Sequence, residues 1–284
     1  MKKIMALVDN SIYGASVCDY AGWIASREES SLTLLHVLGR RDTSGDKSNL
    51  SGSIGLGART SLLEELAELD GQKARLINKR GRAILDDARE RAANMGASKI
   101  TVMLRHGRLL EAMEEFETEA DLIVLGKRGD QSGENMENLG LNLKHVVRLT
   151  SKPVMVASRA FWPVNKLLIA FDGGTKSIKA VEHIVGSPVF QGVECFLMMA
   201  GRASKSKRKA LAGAVAALRE AGFTADSSVV EGQVEDVVAS AVESEGFDLL
   251  VMGAYSHSRI RNIIIGSTTS KMMNACKVPI LLFF

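Results

Sequence analysis

The strongest constraint on this chain is that its pattern is written twice. Ile4-Met5-Ala6-Leu7-Val8-Asp9 returns as Leu167-Leu168-Ile169-Ala170-Phe171-Asp172, each a short apolar run closed by an aspartate. Leu32-Thr33-Leu34-Leu35-His36-Val37 returns as Glu194-Cys195-Phe196-Leu197-Met198-Met199. Asp121-Leu122-Ile123-Val124-Leu125-Gly126 returns as Asp248-Leu249-Leu250-Val251-Met252-Gly253. Lys152-Pro153-Val154-Met155-Val156 returns as Lys277-Val278-Pro279-Ile280-Leu281-Leu282. Matches kept in the same order identify a tandem duplication, and an internal repeat fixes architecture before any single element does. The 284 residues then divide into two units of ordinary domain size, ~100–150 residues each.

Helical periodicities lie between the apolar runs. Val17, Tyr20, Ala21 and Ile24 recur at three- and four-residue spacing after Asp9, and Ile178, Val181, Ile184 and Val185 do so after Asp172. The apolar runs themselves are continuous, as strands are when helices cover both faces of a sheet. Strands alternating with helices give a parallel sheet with right-handed crossovers. The predicted fold is α/β: two tandem doubly wound domains, 1–160 and 161–284, joined around Ser158 to Val164, with five strands each in the order 3-2-1-4-5. The halves differ in one place. From Gly39 to Thr60 the first carries a Gly/Ser-rich insertion, followed by a long charged helical pattern from Ser61 to Met95. The insertion follows the second strand, on the side where such sheets bind ligands.

Composition removes several classes of function. Hydrophobic residues at 46% and charged residues at 24% describe a globular chain and exclude global disorder. Thirty-six basic against 33 acidic residues leave +3, too little to indicate a nucleic-acid or anionic-membrane partner. Cys18, Cys195 and Cys276 are far apart, with no CxxC, and read as buried thiols in a reducing compartment. The histidines show no metal-ligand spacing, so no metal site is expected. After Lys2 and Lys3 the apolar run ends at Val8, too short for a signal peptide, and no run approaches the ~18 residues of a membrane span. The expected location is cytoplasmic.

The residue types suited to ligand chemistry lie after the first and fourth strands of each half. In the order 3-2-1-4-5 the strand order reverses between those two strands, which opens a crevice at their carboxyl ends. Asp9 and the Gly126 loop meet there in the first half, Asp172 and the Gly253 loop in the second. The second loop closes on Gly266 and Ser267, and a helical pattern begins at once. A helix N-terminus offers unpaired N–H groups and a positive dipole end, and glycines allow close backbone approach, so this is a phosphate cradle. No GxxxxGK[ST] element is present, so P-loop hydrolysis is not indicated.

The spacing Gly-x2-Gly-x9-Gly-Ser/Thr after a strand, with an aspartate closing the first strand, resembles the universal stress protein family. The duplicated layout, over nearly the whole chain, is similar to its tandem members. The resemblance implies an adenine-nucleotide alpha-hydrolase-like fold and ATP, with Mg²⁺, as the ligand. It implies that Asp172, and backbone near Met199, meet the adenine. Gly253, Gly266, Ser267 and Thr268 would hold ribose and phosphates. Ser256 occupies the middle-glycine position of that loop, and His257 within it is a candidate to neutralise a triphosphate, as equally it is an ordinary exposed loop charge.

Two departures qualify the match. Ser256 stands where the family has the middle glycine, a residue that enters left-handed conformations more freely. In the first half ten residues rather than nine separate Gly129 from Gly140, and Leu141 and Asn142 replace the hydroxyl residues. The expectation is a nucleotide mainly in the second half and a degenerate first site of Asp9, Val37, Gly126, Gly129 and Gly140. The expected role is a stress-response sensor or regulator with at most weak ATP hydrolysis. The alternatives are a module that takes another small ligand or a protein partner, and a slow ATPase. Val278 to Phe284 is too apolar for an open sheet edge, so the fifth strands of the halves are expected to pair within the chain, with a homodimer as a further level.

Overall fold

The computed structural model describes residues 2–39, 56–129, 139–254 and 267–284. The first half contains β1 (Lys3–Leu7), α1 (Gly14–Arg27), β2 (Ser31–Leu38), α2 (Leu56–Asn94) and β3 (Lys99–His106), then α3 (Leu109–Phe116), β4 (Leu122–Gly126), α4 (Leu141–Leu149) and β5 (Val154–Ala157). The second repeats the plan with β6 (Lys166–Ala170), α5 (Thr175–Gly186), β7 (Glu194–Ala200), α6 (Lys205–Glu220) and β8 (Ala225–Val230), then α7 (Val234–Ser244), β9 (Leu249–Gly253), α8 (Ser267–Ala275) and β10 (Ile280–Phe283).

All ten strands join one sheet in the order β3-β2-β1-β4-β5-β10-β9-β6-β7-β8. Each half has the expected order 3-2-1-4-5, and the two are fused through their fifth strands. Within each half the strands are parallel, whereas β5 and β10 run antiparallel with Val156 opposite Ile280, Met155 opposite Leu281 and Val154 opposite Leu282. That antiparallel junction is the pairing expected of two apolar strands that would otherwise be open edges. The outer edges are β3 and β8, whose side chains are largely exposed or half-buried and include Lys99, Arg105 and Asp226. Charge on an outer strand discourages pairing with another chain.

The central strands are buried on both faces because helices cover both. Ile4 and Ala6 enter one apolar layer and Met5 the other, as the two-residue period of a strand requires. Each layer runs through both halves. On one face Trp23 of α1 lies 6.3 Å from Phe190 and 6.1 Å from Phe161 between ring centres, while Tyr20 is 4.8 Å from Phe161. Polar contacts follow the same seam: Ser16 Oγ donates to Ser158 O at 2.5 Å, and Arg27 Nη1 to Val189 O at 3.0 Å. Glu28 accepts from Ser187 Oγ at 2.6 Å and from Lys2 Nζ at 2.7 Å. The three cysteines are buried thiols, and burial pushes Cys18 and Cys195 up to about 12.

One boundary differs from the sequence expectation. The long helix begins at Leu56, not Ser61, so the last residues of the Gly/Ser-rich stretch belong to it. Residues 40–55 of that insertion lie outside the described residues.

Candidate active-site crevice

In the first half the carboxyl ends of β1, β2 and β4 border a cavity of about 440 Å³. Asp9, Val37, Gly126 and Gly129 line it, so four of the five residues expected at the degenerate site are brought together there. Close approach favours glycine, most firmly at 126 and 140, where the neighbouring atoms are a Cβ and backbone. A Cβ on Gly126 would stand 2.5 Å from Cβ of Tyr13, one on Gly129 would meet Asp9 Oδ2 at 2.8 Å, and one on Gly140 would meet Arg128 Cα at 2.9 Å. Gly140 does not line the cavity. It caps α4 and ties the loop together by donating its N–H to Lys127 O at 3.0 Å. Asp9 Oδ1 accepts from Ser11 N at 3.1 Å, which fixes the carboxylate at the mouth of the turn.

Asn142, which stands in place of a hydroxyl residue, also lines this cavity, as do two residues that the sequence patterns did not mark as site residues, His36 and Arg80. His36 is buried, with Nδ1 2.7 Å from Val8 O, so its ring is held by the backbone of the β1 exit. Arg80 arrives from α2, which at 39 residues is far longer than its 16-residue counterpart α6 in the second half. Arg128 supplies a second cation. Its neighbour Lys127 does not: that side chain is buried and donates to Cys276 O, just past α8 in the other half. Burial pushes the Lys127 ammonium down to about 8. Of these two adjacent cations, only Arg128 lines the cavity.

In the second half Asp172 follows β6 and Gly253 ends β9, its neighbour in the sheet. Asp172 Oδ1 accepts from Gly174 N and from Ser177 Oγ, both at 2.8 Å, which stitches the turn to the start of α5. Gly173 within that turn has φ +76°, a conformation open to glycine. Lys176 lies over Gly253, whose added Cβ would meet Lys176 Cβ at 3.0 Å, and Nζ of Lys176 donates to Ala254 O at 2.6 Å. This repeats the first half, where Tyr13, also four residues after the aspartate, covers Gly126. Partial burial lowers the Lys176 pKa, and the nearby Asp172 carboxylate opposes that shift.

Sheet register refines the expected position of Met199. Ile4 pairs with Leu32, and its repeat counterpart Leu167 pairs with Cys195, so Val37 corresponds to Ala200. Met199 is one residue earlier, and its side chain is 2% exposed in an apolar layer. A slip of one residue moves a side chain to the opposite face of a strand. Thr268, in the first turn of α8, is half-buried, and Thr269 is fully buried. Ser267 opens α8, whereas Ser256, His257 and Gly266 lie outside the described residues.

Among the described residues no group of three or more His, Cys, Asp or Glu side chains could hold a metal, and no helix is long and apolar enough to cross a membrane.

The model of the universal stress protein family matches residues 1–158 and 197–283. The chain is 32% identical over 286 residues to the universal stress protein Slr1230 of Synechocystis sp., covering all of both chains. It is 27% identical over 64 residues to the universal stress protein MJ0577 of Methanocaldococcus jannaschii, 22% of this chain and 40% of that one. In fold it is similar to a universal stress protein from Archaeoglobus fulgidus, with a TM-score of 0.72 at 15% identity, covering 99% of this chain and 95% of that one. A universal stress protein from Pseudomonas aeruginosa gives a TM-score of 0.63 at 16% identity, covering 100% and 93%.

Proposed function

The chain belongs to the universal stress protein family, and from that premise we propose that it binds an adenine nucleotide and acts in a stress response as a sensor or regulator. The proposed ligand is ATP with Mg²⁺, the proposed place is the second-half crevice, and the proposed compartment is the cytoplasm. The domains concerned are 1–160 and 161–284.

One observation carries the choice of crevice. Asp9, Val37, Gly126 and Asn142 together border the cavity of the first half. The repeat sets Asp172, Ala200, Gly253 and Thr268 at the corresponding positions of the second. There the first turn of the helix carries the hydroxyl residues Ser267 and Thr268, where α4 has Leu141 and Asn142. Hydroxyl donors beside the free N–H groups of a helix start suit phosphate oxygens. In the proposed arrangement Asp172 and the backbone at Met199 and Ala200 meet the adenine. Gly253, Ser256, His257, Gly266, Ser267 and Thr268 hold ribose and phosphates, with Mg²⁺ on the phosphates. Lys176 adds a cation at the crevice mouth. The proposed role is binding rather than rapid turnover.

A second reading keeps the ligand in the first half. It is favoured by the 440 Å³ cavity, which counts Arg80 and Arg128 among its lining residues. Cations replace the missing hydroxyls in that reading, and the ligand is an anion held by charge.

Titration of the intact chain with ATP and Mg²⁺ separates the two, using Ser267→Asp and Asn142→Asp. Each places an acid in the first turn of a helix, where it suits the dipole, so neither harms the helix itself. Each also sets a negative charge against a bound phosphate. Ser267→Asp is expected to weaken binding roughly tenfold or more, and Asn142→Asp by less than about twofold. The reverse ranking moves the nucleotide to the first half. Absence of binding by the wild-type chain removes the nucleotide reading altogether.

A further inference from the structure

The long helix α2 carries more chain than its half of the fold uses. At ~1.5 Å per residue its 39 residues span roughly 58 Å. From Gly81 onward it is seated: Gly81, Leu85, Ala88 and Ala92 are buried. Between residues 64 and 80 it is mostly exposed. Leu69 and Leu76 are 60% and 67% exposed, Leu66 is half-buried, and Gly71 has nothing within 4 Å of where a Cβ would lie.

The exposed leucines are not scattered. Leu66, Leu69, Lys73, Leu76, Arg80 and Ala83 follow one another at alternating spacings of three and four, the stripe that a helix presents when it pairs with another helix. The charges beside the stripe are segregated along the axis. Glu64, Glu65, Glu68 and Asp70 fill one stretch with no base among them, and Lys73, Arg75, Lys79 and Arg82 fill the next with no acid. Parallel pairing of two such helices sets acid against acid and base against base. Antiparallel pairing sets each acidic stretch against a basic one, and a twofold axis at Gly71 then places Leu66 opposite Leu76 of the second copy.

We propose that the exposed part of α2, residues 64–82, is a self-association surface on which a second copy of this chain docks its own α2 antiparallel. The occupant is identified by charge complementarity of the helix with its own reversed copy. The inference is independent of nucleotide binding. It sets the homodimer contact on α2, far from the β5–β10 junction that is already closed within one chain.

The test uses the full chain at roughly 100 µM, where a dimer of micromolar affinity is populated. Light scattering is expected to give the mass of two chains. Glu64→Lys/Glu65→Lys/Glu68→Lys and Lys73→Glu/Arg75→Glu/Lys79→Glu are each expected to be monomeric alone and dimeric when mixed, a recovery that misfolded variants would not give. Leu66→Cys mixed with Leu76→Cys is expected to form a disulfide dimer, and Leu69→Cys alone is expected to form almost none. A monomeric wild type overturns the proposal. So does a dimer whose mass is unchanged by both charge reversals, or one that Leu69→Cys alone crosslinks efficiently.

Discussion

His183 of α5 lies at the seam of the two halves, with its ring centre 5.2 Å from that of Phe283. Burial, reinforced by the Lys2 ammonium and opposed by the Glu28 carboxylate, pushes its pKa down from 6.5 to about 4. The unfolded chain therefore takes up this proton first as pH falls. Stability tied to a neutral His183 is present above pH 6.5 and is lost progressively between pH 6.5 and about 4. Denaturant titrations at pH 7 and 4.5 are expected to show wild type losing about 2 kcal/mol more than His183→Leu over that interval. Equal losses would mean that the imidazole is not held neutral. Residues of this kind set the limit of what sequence shows. Asp9, Asp172 and the glycines at 126 and 253 are legible because each sits at a fixed step from an apolar run. Arg80 and Lys127 are not, because their roles depend on where a long side chain ends: one at a cavity formed by other elements, the other at a carbonyl of the opposite half. Met199 shows a third case. A continuous apolar run has no internal mark of register, so its repeat could be aligned one residue away from where the sheet sets it.

At the scale of elements, the strands were the most legible parts. Both of their faces are buried, and burial of that kind writes unbroken apolar runs into the sequence. The start of α2 was the least legible. Gly55 and Gly57 weigh against helix, and the sequence has a strong helical pattern only from Ser61, yet the helix extends back to Leu56. Within it Gly71 stands on an exposed turn with open space around it. Gly71→Ala is expected to stabilise the helix by about 0.5–1 kcal/mol, by removing backbone freedom from the unfolded chain without adding a clash. Circular dichroism during a thermal melt would register this as higher helicity and a later melt. A decrease would mean that residue 71 is enclosed in the folded protein.

For the whole molecule the decisive contact is β5 against β10, which turns two five-stranded sheets into one. Ile280 is fully buried at that junction, opposite Val156. Ile280→Asp places a carboxylate inside one of the two apolar layers, and a cost above about 4 kcal/mol is expected, seen as aggregation or loss of the cooperative melt. A soluble variant that melts like wild type would contradict the fused sheet. The duplication, the strand order and this junction were readable because repeats and edges impose rules that act over the whole chain. The crevices were readable only as positions, since their linings draw on distant elements. Proposed nucleotide binding at the second crevice is the claim on which the functional account rests, and a crystal of the intact chain grown with saturating ATP and Mg²⁺ tests it most directly. The account predicts adenine beside Asp172 and Ala200 with phosphates at the start of α8. Nucleotide at Arg80 and Arg128, or none in either crevice, would contradict it.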